Sequence, residues 1–336
     1  MRIVFPGPRQ VVLEEYEVDG PGPGQVLIKA EHTLISTGTE LTGFSGDFPA
    51  ESAWARYVRY PWQPGYSHVG RVVAVGQGVR AEGLEPGALV LSHGGHASLV
   101  LASSERVRPL PAGVGAEEGT FGVLGATVMN GVRRARIELG EVVAVVGAGL
   151  LGQLCAQLVG LAGAFPVIAI DLAENRLQLA ARLGVTHTLR LPVEAAGAEV
   201  QRLSKGRGAD VAFEVTGHPA VVAPLLRLLR REGRAILLGS ARGQSHVDFH
   251  DEVHTLGLHV IGAHVSTHPE RETFHAPWTR ERNVELFFDL LQARHLDVGS
   301  LITHRYPATE AAGAYGMLLE DRTRAVGVLL DWTGVD

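Results

Sequence analysis

The chain has 336 residues, 46% of them apolar and 20% charged, which is enough for two domains with proper cores and unlike a disordered or fibrous chain. A net charge of −6 gives no electrostatic footprint for nucleic acid or an anionic membrane, which leaves a small molecule as the expected partner. The single cysteine, Cys155, excludes disulfides within the chain, and no stretch reaches the ~18 apolar residues of a membrane span, so a cytoplasmic protein is expected.

Residues 1 to about 120 are built of short β-branched runs, VVLEEYEV, QVLIKAEHTLI, HVGRVVAVG and ALVLSHGGHASLVLA, separated by Gly and Pro turns such as PGPG at 21–24. They predict a mostly antiparallel, barrel-like β domain. Within it, the loop 43–63 carries Trp54, Tyr57, Tyr60 and Trp62, spaced either to line a bulky pocket or to pack, and it is long enough to act as a lid.

From about 123 to 264 the pattern changes to alternating helix and strand, with a helix predicted over 126–136 and another over 174–183. ADVAFEVTG reads as a buried strand, Pro219 opens a helix, and Gly233 ends it before RAILLGS. Such alternation predicts an α/β fold, a doubly wound parallel sheet with helices on both faces. A further helix is predicted over 280–293 and a last strand in VGVLLDW.

The most informative stretch is VVAVVGAGLLGQLCAQLVGLAGAFPVIAID, residues 142–171: apolar strand, glycine turn, helix, second strand, terminal acid. Gly147 permits the sharp turn, Gly149 removes the Cβ that would block a pyrophosphate, and Gly152 lets the helix lie close on the strand. The helix starting near Leu150 and Leu151 presents unpaired N–H groups and the positive end of its dipole to an anion. Asp171, 19 residues beyond Gly152, stands where a carboxylate accepts from both adenosine ribose hydroxyls, so NAD is favoured over NADP, with Arg176 close by keeping NADP open. Similar loops occur in methyltransferases that bind an adenosyl cofactor, but here strand, helix, second strand and acid coincide.

Among the 15 histidines, His250 and His254 in HDEVH would share a helix face, and His93 and His96 flank a diglycine. A metal site needs a third ligand that neither pair supplies, so these are read as solvated or hydrogen-bonded surface histidines.

The order of a β domain, a Rossmann domain and a short return segment resembles the medium-chain dehydrogenase/reductase superfamily, which includes the zinc alcohol dehydrogenases. The likeness runs over nearly the whole chain and is carried by STGTEL (36–41), PGYSHVGRVVAVG (64–76), EPGALV (85–90), GVRRARIELGE (131–141) and THRYP (303–307). It resembles most the branch around bacteriochlorophyllide-type and sugar-type dehydrogenases. The resemblance implies a GroES-like catalytic domain from 1–122 and 265–336 and an NAD-binding Rossmann domain from 123–264.

Against the zinc members this sequence departs at every ligand. Thr37 stands in place of the cysteine before the Gly-Thr-Asp-like segment, here Gly38-Thr39-Glu40; Gly65-Tyr66-Ser67 replaces Gly-His-Glu; and residues 122–126 offer no third ligand. No zinc is therefore expected. By carry-over from the resemblance, Tyr66, Ser67, Thr37 and Thr39 converge on the nicotinamide, with Tyr66 donating to a carbonyl and His68 suited to proton transfer near neutrality. The resemblance also places Thr216 near the adenosine, Gly239, Ser240 and the backbone of 262–264, including His264, near the carboxamide, and Arg324 on a phosphate. It implies a homodimer through the strand 258–265. The function expected is a zinc-independent, NAD-dependent oxidoreductase acting on an alcohol or carbonyl in the cleft between the domains. A quinone or enone reductase and a catalytically silent dinucleotide-binding protein stay open beside it.

Overall fold

The computed structural model describes residues 1–80 and 82–335, and the chain divides into two compact units, Met1–Ala126 with Glu281–Asp336, and Thr127–Arg280.

The second unit is built on apolar runs that are buried on both faces, such as Val143–Val146, which is possible only where helices cover both sides of a sheet. Among the described residues its sheet has six strands, in the order His187–Arg190, Val167–Asp171, Val143–Val146, Ala209–Glu214, Leu229–Leu237 and His259–Gly262. Every neighbouring pair is parallel. Numbered along this unit, the order is 3-2-1-4-5-6, the doubly wound dinucleotide-binding arrangement. The strand order reverses between Val143–Val146 and Ala209–Glu214, and ligands of such sheets bind beyond the carboxyl ends of those strands.

In the first unit the ten-residue strand Gln25–Leu34 is the organiser. Its inward residues Val26, Ile28 and Ala30 are buried at alternate positions, the pattern of a sheet with one face on a core. It pairs antiparallel with His68–Val75, Leu99–Ser103 and Gly327–Asp331, so the chain's last strand joins a sheet begun near its start. His68–Val75 continues to Leu89–Ser92, and Ile302–Pro307 lies parallel to Gly327–Asp331. Ile3, Phe5, Phe44, Tyr315 and Trp332 form one core cluster, in which Phe5 meets Tyr315 edge-to-face at 4.9 Å.

Two local expectations change. The helix expected from residue 126 starts at Gly122 and runs to Ala135. Gly122 and Gly125 look like poor helix residues, but a Cβ on them would lie 2.7 Å from Leu91 and 2.3 Å from Phe287, so packing forces the small residue. The HDEVH segment forms a π-helical turn, Phe249–His254, and not a stretch of α-helix.

Candidate functional site

In the second unit the glycine loop has the geometry that its sequence demands. Gly147 sits at φ 102°, open to glycine and strained for other residues. A Cβ on Gly152 would lie 1.9 Å from the Gly147 carbonyl oxygen, so any side chain there would push helix Leu150–Leu161 off the strand. A Cβ on Gly149 would meet nothing nearer than the Arg176 guanidinium at 3.7 Å, which leaves a cradle in front of the first turn. The N–H groups of Leu150, Leu151 and Gly152 precede the first intrahelical donor, Gln153, and are free to face an anion there.

The Asp171 carboxylate closes the loop from the side, accepting from Ala148 N at 2.6 Å and Ala173 N at 2.8 Å. Gln153, which sequence reasoning passed over, is buried and donates from Nε2 to the carbonyls of Ala148 and Arg176 at 2.9 and 2.8 Å. It pins the loop to the helix that carries Arg176.

A second missed residue lies across the switch point. Glu214 ends its strand almost wholly buried, and its Oε1 accepts from the backbone of Thr216 at 2.7 Å, from the Thr216 hydroxyl and from Gly217 N at 3.0 Å. Burial raises its pKa above the ordinary carboxylate value, opposed by these hydrogen bonds. A Cβ on Gly239 would lie 2.6 Å from Glu214 Oε2, so Glu214 fits the loops bearing Thr216 and Gly239 against one another. Ser240 follows, exposed. The carbonyl of exposed His264 is held by Asn130 Nδ2 at 3.3 Å. Arg324 belongs to the first unit, on an exposed turn.

In the first unit, hydroxyls gather around Tyr66. Its phenol donates to Ser36 Oγ at 2.5 Å and approaches Thr39 Oγ1 at 3.4 Å, at the start of helix Thr39–Ser45. Burial, with a contribution from the Glu40 charge, holds the phenol above its ordinary value, so it stays protonated at neutral pH. Thr37 is half-buried on the same loop, and Ser67 is buried with its hydroxyl unpartnered. Ser36 carries no signal of its own within STGTEL, because its partner Tyr66 lies 30 residues away.

Two expectations are corrected here, and one alternative is decided. His68 is fully buried, and burial, with the neighbouring His96, lowers its pKa to about 4, so it is not poised for proton transfer near neutrality. His96 is not a surface residue: it has no exposure and bonds Glu40 Oε2 at 2.8 Å. Tyr60 and Trp62 are packing residues more than pocket wall. Tyr60 donates to the Gly43 carbonyl at 2.5 Å, and the Trp62 indole lies where a Gly43 Cβ would be 2.3 Å away. Trp62 also exchanges backbone hydrogen bonds with Phe5 at 2.8 and 2.9 Å, which anchors the end of the supposed lid. Tyr57, 53% exposed, stands edge-on to Trp54 and Trp62.

The zinc of the resembling dehydrogenases does not fit these residues. At the inherited positions the donors are the Thr37 hydroxyl, a phenol held protonated and the Ser67 hydroxyl, none of them the thiolate, imidazole or carboxylate that Zn²⁺ takes. Among the described residues no three His, Cys, Asp or Glu side chains converge.

The family model described as zinc-binding dehydrogenase matches residues 151–279. The L-threonine 3-dehydrogenase of Pyrococcus furiosus is 28% identical over 325 residues, covering 88% of this chain and 87% of the relative. The chain belongs to the medium-chain dehydrogenase/reductase superfamily. It is an oxidoreductase of the alcohol-dehydrogenase type. The 2-desacetyl-2-hydroxyethyl bacteriochlorophyllide A dehydrogenase of Cereibacter sphaeroides is 26% identical, with 98% of this chain and 97% of the relative covered. Among solved structures, an alcohol dehydrogenase from Escherichia coli complexed with NADH shares the fold at a TM-score of 0.80, with 19% identity and 98% of each chain covered.

Proposed function

We propose that this dehydrogenase is zinc-independent and NAD-dependent, and interconverts an alcohol and its carbonyl. The observation that carries the reading is the Tyr66–Ser36–Thr39 hydroxyl cluster, built around a tyrosine at the position that the resemblance gives to a zinc ligand.

The cofactor, when bound, supplies or accepts the hydride. The cradle at Gly149 and the N–H groups of Leu150, Leu151 and Gly152 hold its phosphates, with Arg176 offering a cation beside them. Asp171, fixed by two backbone amides, presents a carboxylate to the ribose hydroxyls and would repel a 2′-phosphate. Thr216, Gly239, Ser240 and His264 line the rest of the dinucleotide. NADH in the Escherichia coli neighbour supports the choice of cofactor class.

At the reacting carbon, Tyr66 acts as a donor: protonated at neutral pH, its single O–H turns from Ser36 Oγ to the oxygen that becomes or ceases to be an alkoxide, and the Ser36 hydroxyl donates to the phenol oxygen in its place. Ser36 and Thr39 each accept and donate, so as the alcohol proton reaches the Tyr66 oxygen the phenol proton moves on through them to water at half-buried Thr39. Thr37 and Ser67 extend the same polar wall. The enzyme works in the cytoplasm as a homodimer, formed through the edge strand His259–Gly262, whose Val260 is 43% exposed.

The test is a screen of alcohols with NAD and of ketones, quinones and enones with NADH, on protein analysed for metals and purified without a metal-binding tag. The expected result is alcohol–ketone turnover without stoichiometric zinc, falling about 10²-fold in kcat in Tyr66→Phe. Turnover confined to quinones or enones moves the assignment to that reductase class. Stoichiometric zinc with chelator-sensitive activity, or tight NADH binding without turnover, overturns it.

A further inference from the structure

Beneath the hydroxyl cluster of the first unit lies a buried carboxylate to which the reaction above gives no task. Glu40 has no exposure, yet it takes donors from three separate stretches of chain. Ser36 N donates to Oε1 at 2.9 Å, His96 Nε2 to Oε2 at 2.8 Å, and the Tyr315 hydroxyl to Oε2 at 2.5 Å. The Glu40 oxygens accept, so His96 Nε2 carries the ring proton that faces them, while His96 Nδ1 lies 2.7 Å from the Thr33 hydroxyl, which also accepts from Trp332 Nε1 at 2.9 Å.

We propose that Glu40 is a positioning residue for the active-site hydroxyls. Through the Ser36 N–H it sets the loop that aims the Ser36 hydroxyl at Tyr66, and His96 and Tyr315 brace the carboxylate.

Three features support this. The two ends of the device meet in one residue, because Ser36 gives its N–H to Glu40 and accepts the Tyr66 phenol on Oγ. A carboxylate withdrawn from water is a costly way to fill a core, and each donor it loses raises that cost. Its retention with three donors therefore points to a task of orientation, which an apolar side chain of the same size could not perform. Finally, its charge favours the protonated phenol of Tyr66, the form that donates. Tyr315 brings the returning C-terminal segment into the same device, so the site rests on residues from both ends of the chain.

The proposal rests on the dehydrogenase reading for its kinetic arm and on geometry for its structural arm. Glu40→Gln keeps the shape but offers one acceptor atom to three donors. Glu40→Gln and Ser36→Ala are each expected to lower kcat about tenfold with KM and NADH affinity little changed, and the double variant is expected to be no worse than either single one. Normal kcat in folded Glu40→Gln, or losses that multiply in the double variant, overturn the proposal. Where Glu40→Gln does not fold, Tyr315→Phe takes its place, since it strips one brace and keeps the carboxylate; the same fall in kcat is expected, and unchanged kcat overturns the idea. Should the wild-type protein turn over no substrate, the dehydrogenase reading fails alone. The crystal structure of Glu40→Gln then decides: an opened Tyr66–Ser36 contact upholds the positioning role, and one unchanged at 2.5 Å ends it.

Discussion

His68 has its Nδ1 3.0 Å from Ser92 Oγ and its Nε2 without a partner, in a site with no exposure. Such a ring resists protonation, and its pKa falls from 6.5 to about 4 on folding. The unfolded chain therefore binds a proton through a range of pH in which the folded chain does not. The stability that neutral His68 contributes is complete above about pH 6.5 and is lost as pH falls towards 4. Integrated from pH 7 to 5, the loss is about 2 kcal/mol. Glu214, whose pKa is raised on folding, has the opposite sign, with stability present below its unfolded value and lost as pH rises. It is common to wild type and variant and cancels between them. Urea unfolding at pH 7 and pH 5 should therefore show wild type losing about 2 kcal/mol more than His68→Gln. Equal losses would mean that the ring takes up its proton in the folded state, and would reopen it as a proton carrier. With His68 neutral, the proposed proton path is left to the hydroxyls around Tyr66.

Helix Leu150–Leu161 shows how one residue type carries opposite duties within a single element. Gly152 touches the Gly147 carbonyl across the turn, whereas Gly160, exposed near the other end, has nothing within 4 Å of its Cβ position. Gly160→Ala is expected to stabilise the protein by about 0.5–1 kcal/mol through helix propensity. Gly152→Ala is expected to lower the Tm and weaken NADH binding at least about tenfold, because the helix start and its N–H groups must move away from the anion. Thermal melts and NADH fluorescence on the two variants check this, and equal effects at both glycines would remove the packing argument. The glycine loop was legible in the sequence because the turn, the close approach and the helix start are all set within a few neighbouring residues. The Glu40 clasp was not, since its partners lie 56 and 275 residues away and only the folded sheet joins them. The same limit hid the first turn of helix Gly122–Ala135: propensity discounts Gly122 and Gly125, and the reason for them is Leu91 and Phe287, far off in the chain. Aromatics in 43–63 read equally as wall or packing, and only the contact of Trp62 with Gly43 decides.

At the scale of the whole chain, the two units differ in continuity. Thr127–Arg280 is one unbroken stretch, and its strands and helices enclose a core from Val142 to Leu258. The first unit closes only when Gly327–Asp331 pairs with Gln25–Leu34, and when Tyr315 and Trp332 enter the core with Phe5. A chain stopped at residue 280 would lack that strand, the Tyr315 brace on Glu40 and the Trp332 donor to Thr33. Its first unit would expose core and edge strand together, the usual route to aggregation. A fragment of 122–280, which keeps helix Gly122–Ala135 whole, has all that the second unit needs to fold. It is expected to melt cooperatively, to gain about 2.7 kcal/mol of stability at NADH near 100 times Kd, and to sediment as a dimer through His259–Gly262. It should oxidise nothing, because Tyr66, Ser36 and Glu40 are all outside it. A folded fragment that sediments as a monomer would count against the proposed dimer through this strand, and one that fails to bind NADH would show that the glycine loop depends on residues beyond its own unit.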